Sequence, residues 1–271
     1  MKMKKWIALI LALTMMFTLA ACGGNDDAAA NDNADDTAEL VYAVEAGSAG
    51  EAAALGNSWN VNSVVDQATA LMEVESGTSD AAIIDLLMAG AMIGEGTSYP
   101  NLTYTDKLTT EEYGVGCRQG SDLVDVINAV FSKTYADGSM KTIATEYGVQ
   151  ESLCEQPADL SWEAAADGDV AYIQDKGTLV VGITEFAPMD FKEAGSDEWI
   201  GFDTDMARLV AEELGVEIEF VVIDWDMKIN EVNAKNIDCV WNGMTLTAEV
   251  TSAMDCSAPY CNNAQVVVVA K

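Results

Sequence analysis

The residues with the most chemical potential in this 271-residue chain are a Ser after a Gly and an Asp at the end of an apolar run. Gly47-Ser48-Ala49 precedes Glu51–Leu55, which begins a helix with an acid in its first turn. Backbone N–H groups at a helix start have no intrahelical acceptor, so with the Ser48 hydroxyl they can receive an anion; the same residues also read as a plain N-cap. Asp85 closes the run Ala81–Ile84, and open α/β sheets hold ligand groups at the carboxyl ends of their strands. A carboxylate there suits an ammonium group. Phe186 and Trp225 read, on their own, as core aromatics.

Other chemistry is excluded or weak. The chain has no His, which removes the usual general base, the Ser-His-Asp triad and His-ligated zinc. No metal centre and no cofactor are expected. Besides Cys22 there are five Cys, at 117, 154, 239, 256 and 261, with no CxxC pair. A Cys256 to Cys261 disulfide would close a short loop around Pro259; small buried thiols are the other reading. The formal net charge is −32, a solvated surface that repels nucleic acid and anionic headgroups and favours solubility and cationic partners.

The N-terminus predicts export. A basic head, Met1-Lys-Met-Lys-Lys5, leads into an apolar core too short to span a bilayer as a mature helix, ending at Leu19-Ala20-Ala21-Cys22. That tetrapeptide resembles the bacterial lipobox, which implies cleavage after residue 21 and a lipid on Cys22. Residues 22–38, rich in Gly, Asn, Asp and Ala, bury too little to fold and read as a tether.

The elements that would position Ser48 and Asp85 alternate strand and helix, the pattern of an α/β protein. Strands are expected at 40–44, 81–84, 113–117, 178–183, 217–222, 237–240 and 265–270. Helices are expected from 51, over 64–73 and 86–93, after 117 with Leu123, Val126, Ile127, Val130 and Phe131 on one face, and over 140–147, 203–214 and 227–234. Residues 151–175 are less regular and acidic and read as a connector with partial helix.

Two blocks of the chain resemble the two halves of an extracellular solute-binding protein of the polar amino-acid ABC importer type, in reversed order. The family's first half is similar to Gly177-Thr-Leu-Val-Val-Gly-Ile-Thr-Glu-Phe-Ala-Pro-Met-Asp-Phe191, Gly201-Phe-Asp-Thr-Asp-Met206, Asp238-Cys-Val-Trp-Asn-Gly-Met-Thr-Leu-Thr247 and Pro259-Tyr260. Its second half is similar to Gly47-Ser-Ala-Gly-Glu51, Asp80-Ala-Ala-Ile-Ile-Asp85, Glu112-Tyr-Gly-Val-Gly116 and Ala136-Asp-Gly-Ser-Met140. The resemblance implies a two-lobed α/β fold of the type II periplasmic-binding-protein kind, circularly permuted. Lobes are expected at 39–106 and 107–271, with 151–176 joining the family's usual termini. One covalent crossing would lie near 106–112, while Val266–Ala270 completes the hinge sheet by pairing.

Carried over residue by residue, the resemblance gives Asp85 the ligand's ammonium, Ser48 and Ala49 its carboxylate, and Phe186 and Trp225 stacking roles. Asn242, Gly243 and Thr245 match the segment that supplies further carboxylate contacts. One departure stands out: Val250 occupies the place of the family's carboxylate-clamping Arg. Backbone donors and Ser48 alone, Arg118 reaching in, or a ligand without an α-carboxylate would each answer it. Glu185 is a new acid in the first loop, and with Asp85 it leans the pocket towards a cation or amine. The implied function is that of a lipid-anchored, monomeric protein on the outer face of the membrane, delivering an amino acid or related amine to an ABC permease without catalysis. A sensory or scaffold role without a transporter, and a cyclohexadienyl-dehydratase-like enzyme using Glu185, are the alternatives.

Overall fold

The computed structural model describes residues 40–271, so Cys22, the leader and the tether lie outside the described residues. The chain starts with β1 (Val41–Glu45), α1 (Ala49–Gly56), β2 (Asn60–Val64), α2 (Gln67–Ser76), β3 (Ala81–Asp85), α3 (Leu86–Met92) and β4 (Leu102–Lys107). It continues through β5 (Glu111–Tyr113), β6 (Gly116–Cys117), α4 (Leu123–Asp137), α5 (Ser139–Glu146), α6 (Asp169–Lys176), β7 (Thr178–Ile183), α7 (Phe202–Leu214) and β8 (Glu217–Val222). Then come a 3-10 turn (Trp225–Met227), α8 (Lys228–Asn233), β9 (Cys239–Val240), α9 (Ala248–Ala253), β10 (Asp255–Cys256), β11 (Cys261–Asn263) and β12 (Gln265–Ala270).

These strands build two five-stranded sheets, ordered β2-β1-β3-β12-β4 and β10-β6-β9-β7-β8. In the first, β1, β2 and β3 run parallel and β12 runs against both β3 and β4. In the second, β7, β8 and β9 are parallel and β6 and β10 complete an antiparallel edge. The two sheets are thus the same motif twice: three parallel strands extended by an antiparallel pair. Between them lies a ribbon of β5 against β11, with Tyr113 opposite Cys261 and Glu111 opposite Asn263.

Local chemistry sets the element ends. Ser48 Oγ accepts from Glu51 N at 3.0 Å and starts α1. Asp66 Oδ1 accepts from Thr69 N at 2.7 Å, which fixes α2 as starting at Gln67 and not at 64. Gly77, Gly138 and Gly215 end α2, α4 and α7 in the left-handed conformation that glycine adopts without strain. The stripe expected on α4 is buried throughout, and Phe131 stands edge-on to Trp241 at 5.6 Å. At ~1.5–3 kcal/mol per fully buried large apolar side chain, this face seats α4 in the core.

One boundary differs from expectation. Residues 265–270, assigned to the larger lobe, form β12 inside the first sheet, because their run of Val slots between β3 and β4 with buried Val266 and Val268. In consequence the chain passes between the sheets twice, at 107–111 and at 263–265, and not by one covalent crossing. The connector carries the partial helix expected of it, α6 at 169–176, with Val170 and Ile173 buried. Asp122 fastens that connector, accepting from Ala165 N and Val170 N at 2.9 Å each.

Candidate functional site

The carboxyl ends of β1 and β3 bring two acids together. Glu45 ends β1 and Asp85 ends β3; they are 3% and 4% exposed. Gln67, from the first turn of α2, grips Asp85 twice: its amide nitrogen donates to Asp85 Oδ2, and its oxygen accepts from Asp85 N at 2.9 Å. From the ribbon, Tyr113 Oη donates to Asp85 Oδ1 at 2.6 Å, and Asn263 Nδ2 donates to the same oxygen. A third acid, Glu111, sits beside them. Its Oε2 accepts from Gln265 Nε2 at 3.0 Å, Thr245 Oγ1 at 3.1 Å and Asn263 Nδ2 at 3.3 Å.

Two buried carboxylates with a third acid beside them cannot both hold their charge cheaply. Burial first, and then Asp85, push the Glu45 carboxyl up to about 8. Burial, then Glu111, push Asp85 up to about 6, against the pull of Tyr113 and Gln67. Two acceptors in this group, Glu45 Oε1 and Gln265 Oε1, are buried without a hydrogen-bond partner. Buried acceptors without donors cost free energy, and such positions are where a ligand's N–H groups are worth most.

Facing this group from the second half is the turn Trp225–Lys228. The approach is close: a Cβ on Gly47, whose φ is +70°, would lie 2.6 Å from Asp226 Cα. Only glycine fits there. Lys228 Nζ crosses the gap to donate to Gly47 O at 2.9 Å, donates to Trp225 O at 3.1 Å, and sits 4.8 Å from the Trp225 ring centroid. Burial pulls the Lys228 ammonium below its ordinary range, although Glu45 opposes this.

The expected site residues fare unequally. Ser48 caps α1 while Ala49 and Gly50 supply the helix's leading amides, and Asp85 is central to the acid group. Trp225 is buried but belongs to the facing turn. Phe186 is buried edge-on to Tyr113 and lies against Gly243, where a Cβ would come within 2.3 Å of its ring. Glu185 is exposed and without a hydrogen bond among the described residues, so it does not join Asp85.

Three expected ligand donors are spent internally. Asn242 exchanges bonds with Thr184, at 2.9 Å to its backbone N–H and 2.7 Å to its hydroxyl, which ties the end of β9 to the end of β7. Gly243 N donates to Asp203 Oδ2 at 2.7 Å, and Thr245 donates to Glu111. Arg118, considered as a replacement clamp, is held elsewhere by Asp169, Asp238 and the carbonyls of Val232 and Ile237. Val250 is 4% exposed in an apolar cluster with Trp225, Met244 and Met254. The five described Cys are all free, Cys256 and Cys261 included. Among the described residues no group of acids or Cys is arranged to hold a metal ion, and no helix is long and apolar enough to cross a membrane.

Glu45, Gln67, Glu111, Tyr113, Asn263, Gln265 and Lys228 were not anticipated. Glu45 alone carried a readable signal, since it ends an apolar strand as Asp85 does.

Residues 179–271 match the family model of the bacterial extracellular solute-binding proteins, family 3. It is 32% identical over 97 residues to the arginine-binding extracellular protein ArtP of Bacillus subtilis (strain 168), covering 35% of this chain and 37% of that one. It is 31% identical over 104 residues to the L-cystine-binding protein TcyJ of Escherichia coli (strain K12), covering 38% and 39%. Among solved structures, an ancestral cationic amino acid solute binding protein shares 37% identity over 31% of this chain and 37% of its own, with a TM-score of 0.30. The chain therefore spans less than half the length of the curated relatives it matches.

Proposed function

We propose that this protein is the solute-binding component of an ABC importer, held on the outer face of the bacterial cell membrane by a lipid on Cys22. It clamps a small polar solute, an amino acid or related amine, between two lobes built on the two sheets. The observation that carries the reading is the pair of buried strand-end acids, Glu45 and Asp85, opposed across a close interlobe approach by Trp225 and Lys228. Buried acceptors without partners recognise N–H groups, and relatives named for binding arginine and cystine fit that chemistry.

No catalytic step is required: a ligand that touches both lobes binds the closed form better than the open one and so shifts the population towards it. The ribbon of β5 and β11 is the natural hinge, joining the lobes through 107–111 and 263–265. Ser48, Ala49, Asp85, Phe186 and Trp225 are retained as proposed ligand neighbours, whereas Asn242, Gly243 and Thr245 act by holding the frame. The working unit is a monomer, with an ABC permease as its partner.

Circular permutation is part of this proposal. Its support is the reversed order of the matching segments and the course of the first sheet. β12 runs against β3, beside which β1 begins, so Ala270 and Val41 lie at the same end of the sheet, two strand spacings or ~10 Å apart. A short linker joins them. A rearranged chain, opened within 157–167 and closed from Lys271 to Leu40 through Gly and Ser, should fold and bind like the natural order. Failure to fold breaks the permutation.

The binding reading is tested by thermal shift on the purified full chain with L-arginine, L-lysine and L-cystine, their decarboxylated partners agmatine, cadaverine and cystamine, and glucose as a neutral control. At least one charged solute should raise the melting temperature in proportion to occupancy. If none does, the reading fails.

A further inference from the structure

Val250 leaves the cleft without the guanidinium that clamps carboxylates in the resembling family, and Arg118 is fully engaged elsewhere. Among the described residues one cation hydrogen-bonds across both halves: Lys228, 7% exposed. We infer that Lys228 takes over the carboxylate-binding role, so that the solute held between Asp85 and Lys228 is a zwitterion with its α-carboxylate intact. This rests on the solute-binding reading and specifies its ligand.

The geometry leaves Lys228 incomplete. An ammonium has three N–H donors; two are given to Gly47 O and Trp225 O, and the third has no acceptor among the described residues. The carbonyl it holds belongs to the residue before Ser48, which brings Nζ to the start of α1, where the amides of Ala49 and Gly50 have no intrahelical acceptor. An anion seated there would receive the free ammonium proton and the helix amides together. Val250 shares its apolar cluster with Trp225, whose carbonyl Lys228 holds, so the ammonium and position 250 belong to the same neighbourhood.

The surrounding acids do not fill this role. Glu51 is turned to Gly47 N at 2.8 Å and to Ser63 Oγ. Asp226 and Glu249 are exposed, where water screens them. Glu45 is the buried neighbour, and its carboxyl, pushed up to about 8, keeps its proton at neutral pH. Lys228 therefore makes no ion pair among the described residues, and a ligand carboxylate would supply one. Glu45, with Oε1 unpartnered, is left to meet the ligand's amine end beside Asp85, whose oxygens already accept from Gln67, Tyr113 and Asn263.

Isothermal titration of the full chain with three matched pairs tests this: L-arginine and agmatine, L-lysine and cadaverine, L-cystine and cystamine. The wild type should bind at least one amino acid tenfold or more tighter than its decarboxylated amine, and methyl esterification of that amino acid should weaken it as much. Lys228→Met should lower the affinity for the amino acid 10- to 100-fold and leave the amine unchanged or tighter. Lys228→Arg should restore the amino acid to within a few-fold. The ester comparison needs no variant, so it stands even if Lys228→Met fails to fold.

Equal affinity for acid, ester and amine in the wild type overturns the inference while sparing the solute-binding reading. So does a Lys228→Met protein that keeps its amino-acid affinity within twofold, or loses acid and amine alike. No binding of any of the six overturns both.

Discussion

The protein buries charge in two places and treats it differently. In the second half, Arg118 donates to Asp169 at 2.9 Å, to the carbonyls of Ile237 and Val232 at 2.9 and 3.1 Å, and to Asp238 at 3.5 Å. Lys176 adds a bond to Asp238 at 2.6 Å, and Val180 N another at 2.8 Å. Burial opposes the charge of Asp169, yet the Arg118 hydrogen bond and charge hold its carboxyl below the usual range. At the cleft the balance runs the other way, with Glu45 raised by burial and Asp85, Asp85 raised by burial and Glu111, and two acceptors unpartnered among the described residues. The first cluster is complete without a ligand and serves the fold. The second is incomplete and gains from one.

The largest effect that would test this contrast is expected at Arg118. Removing one partner of a buried charge group leaves the others uncompensated, which costs about 3–5 kcal/mol. Arg118→Met should therefore lower the urea midpoint by that free energy, while the ligand-induced rise in melting temperature, measured on the fraction still folded, stays as in the wild type. Loss of the ligand response without loss of stability would invert the assignment of the two clusters.

Glu45→Gln should act in the opposite direction. The folded carboxyl titrates near 8 and the unfolded one near 4.5, so between those values the native state binds more protons than the unfolded state and stability falls as pH rises. Below the lower value the native group carries no penalty. By pH 7 the penalty reaches roughly 3 kcal/mol, and the neutral amide removes it. Denaturation at pH 4.5 and pH 7.5 should show Glu45→Gln indifferent at the first and stabilised at the second; stabilisation of the same size at both would mean that ionisation of Glu45 is not the cause.

Asp85→Ala comes next. A hydrogen bond to a charged group is worth ~1.5–3 kcal/mol, so the affinity of whichever charged solute the wild type binds should fall about 10- to 100-fold. An unchanged thermal shift would remove Asp85 from the site and with it the contrast between the clusters.

Asp85 and the Ser48 cap were legible in the sequence because each is a local statement: an acid ending an apolar strand, a hydroxyl before a helix. Six of the seven strand runs were legible for the same reason, while 113–117 divides into β5 and β6; β10 and β11 went unseen, and so did β2 and β4. Both flank the first sheet, and their residues, Asn60–Val64 and Leu102–Lys107, lack the apolar continuity of β3 because one side of each strand has no neighbour. Glu111, Asn263 and Gln265 were hidden for a different reason. They come within reach of Asp85 only through pairing of β5 with β11 and of β12 with β3, contacts between residues about 150 positions or more apart. Lys228 was unreadable because its role depends on an approach across the two halves that no local pattern announces. Asn242 and Gly243 show the converse error: the motif fixed where they lie, but their partners Thr184 and Asp203 decide that they hold the frame and do not offer donors.

The smallest effect, at Ser48, separates local structure from ligand chemistry within one side chain. Its oxygen accepts from Glu51 N at 3.0 Å, which accounts for the start of α1. Loss of an N-cap costs about 1 kcal/mol, so Ser48→Ala should lower stability by that amount with or without solute. The hydroxyl proton is a separate resource, since a hydroxyl both accepts and donates, and among the described residues it has no acceptor. If it is given to the ligand carboxylate beside Lys228, Ser48→Ala should also weaken an amino acid by a factor of several and leave its decarboxylated amine untouched, while Ser48→Thr retains both properties. A purely structural Ser48 would change the melting temperature of free and bound protein equally, and the anion would then rest on Lys228 and the helix amides alone.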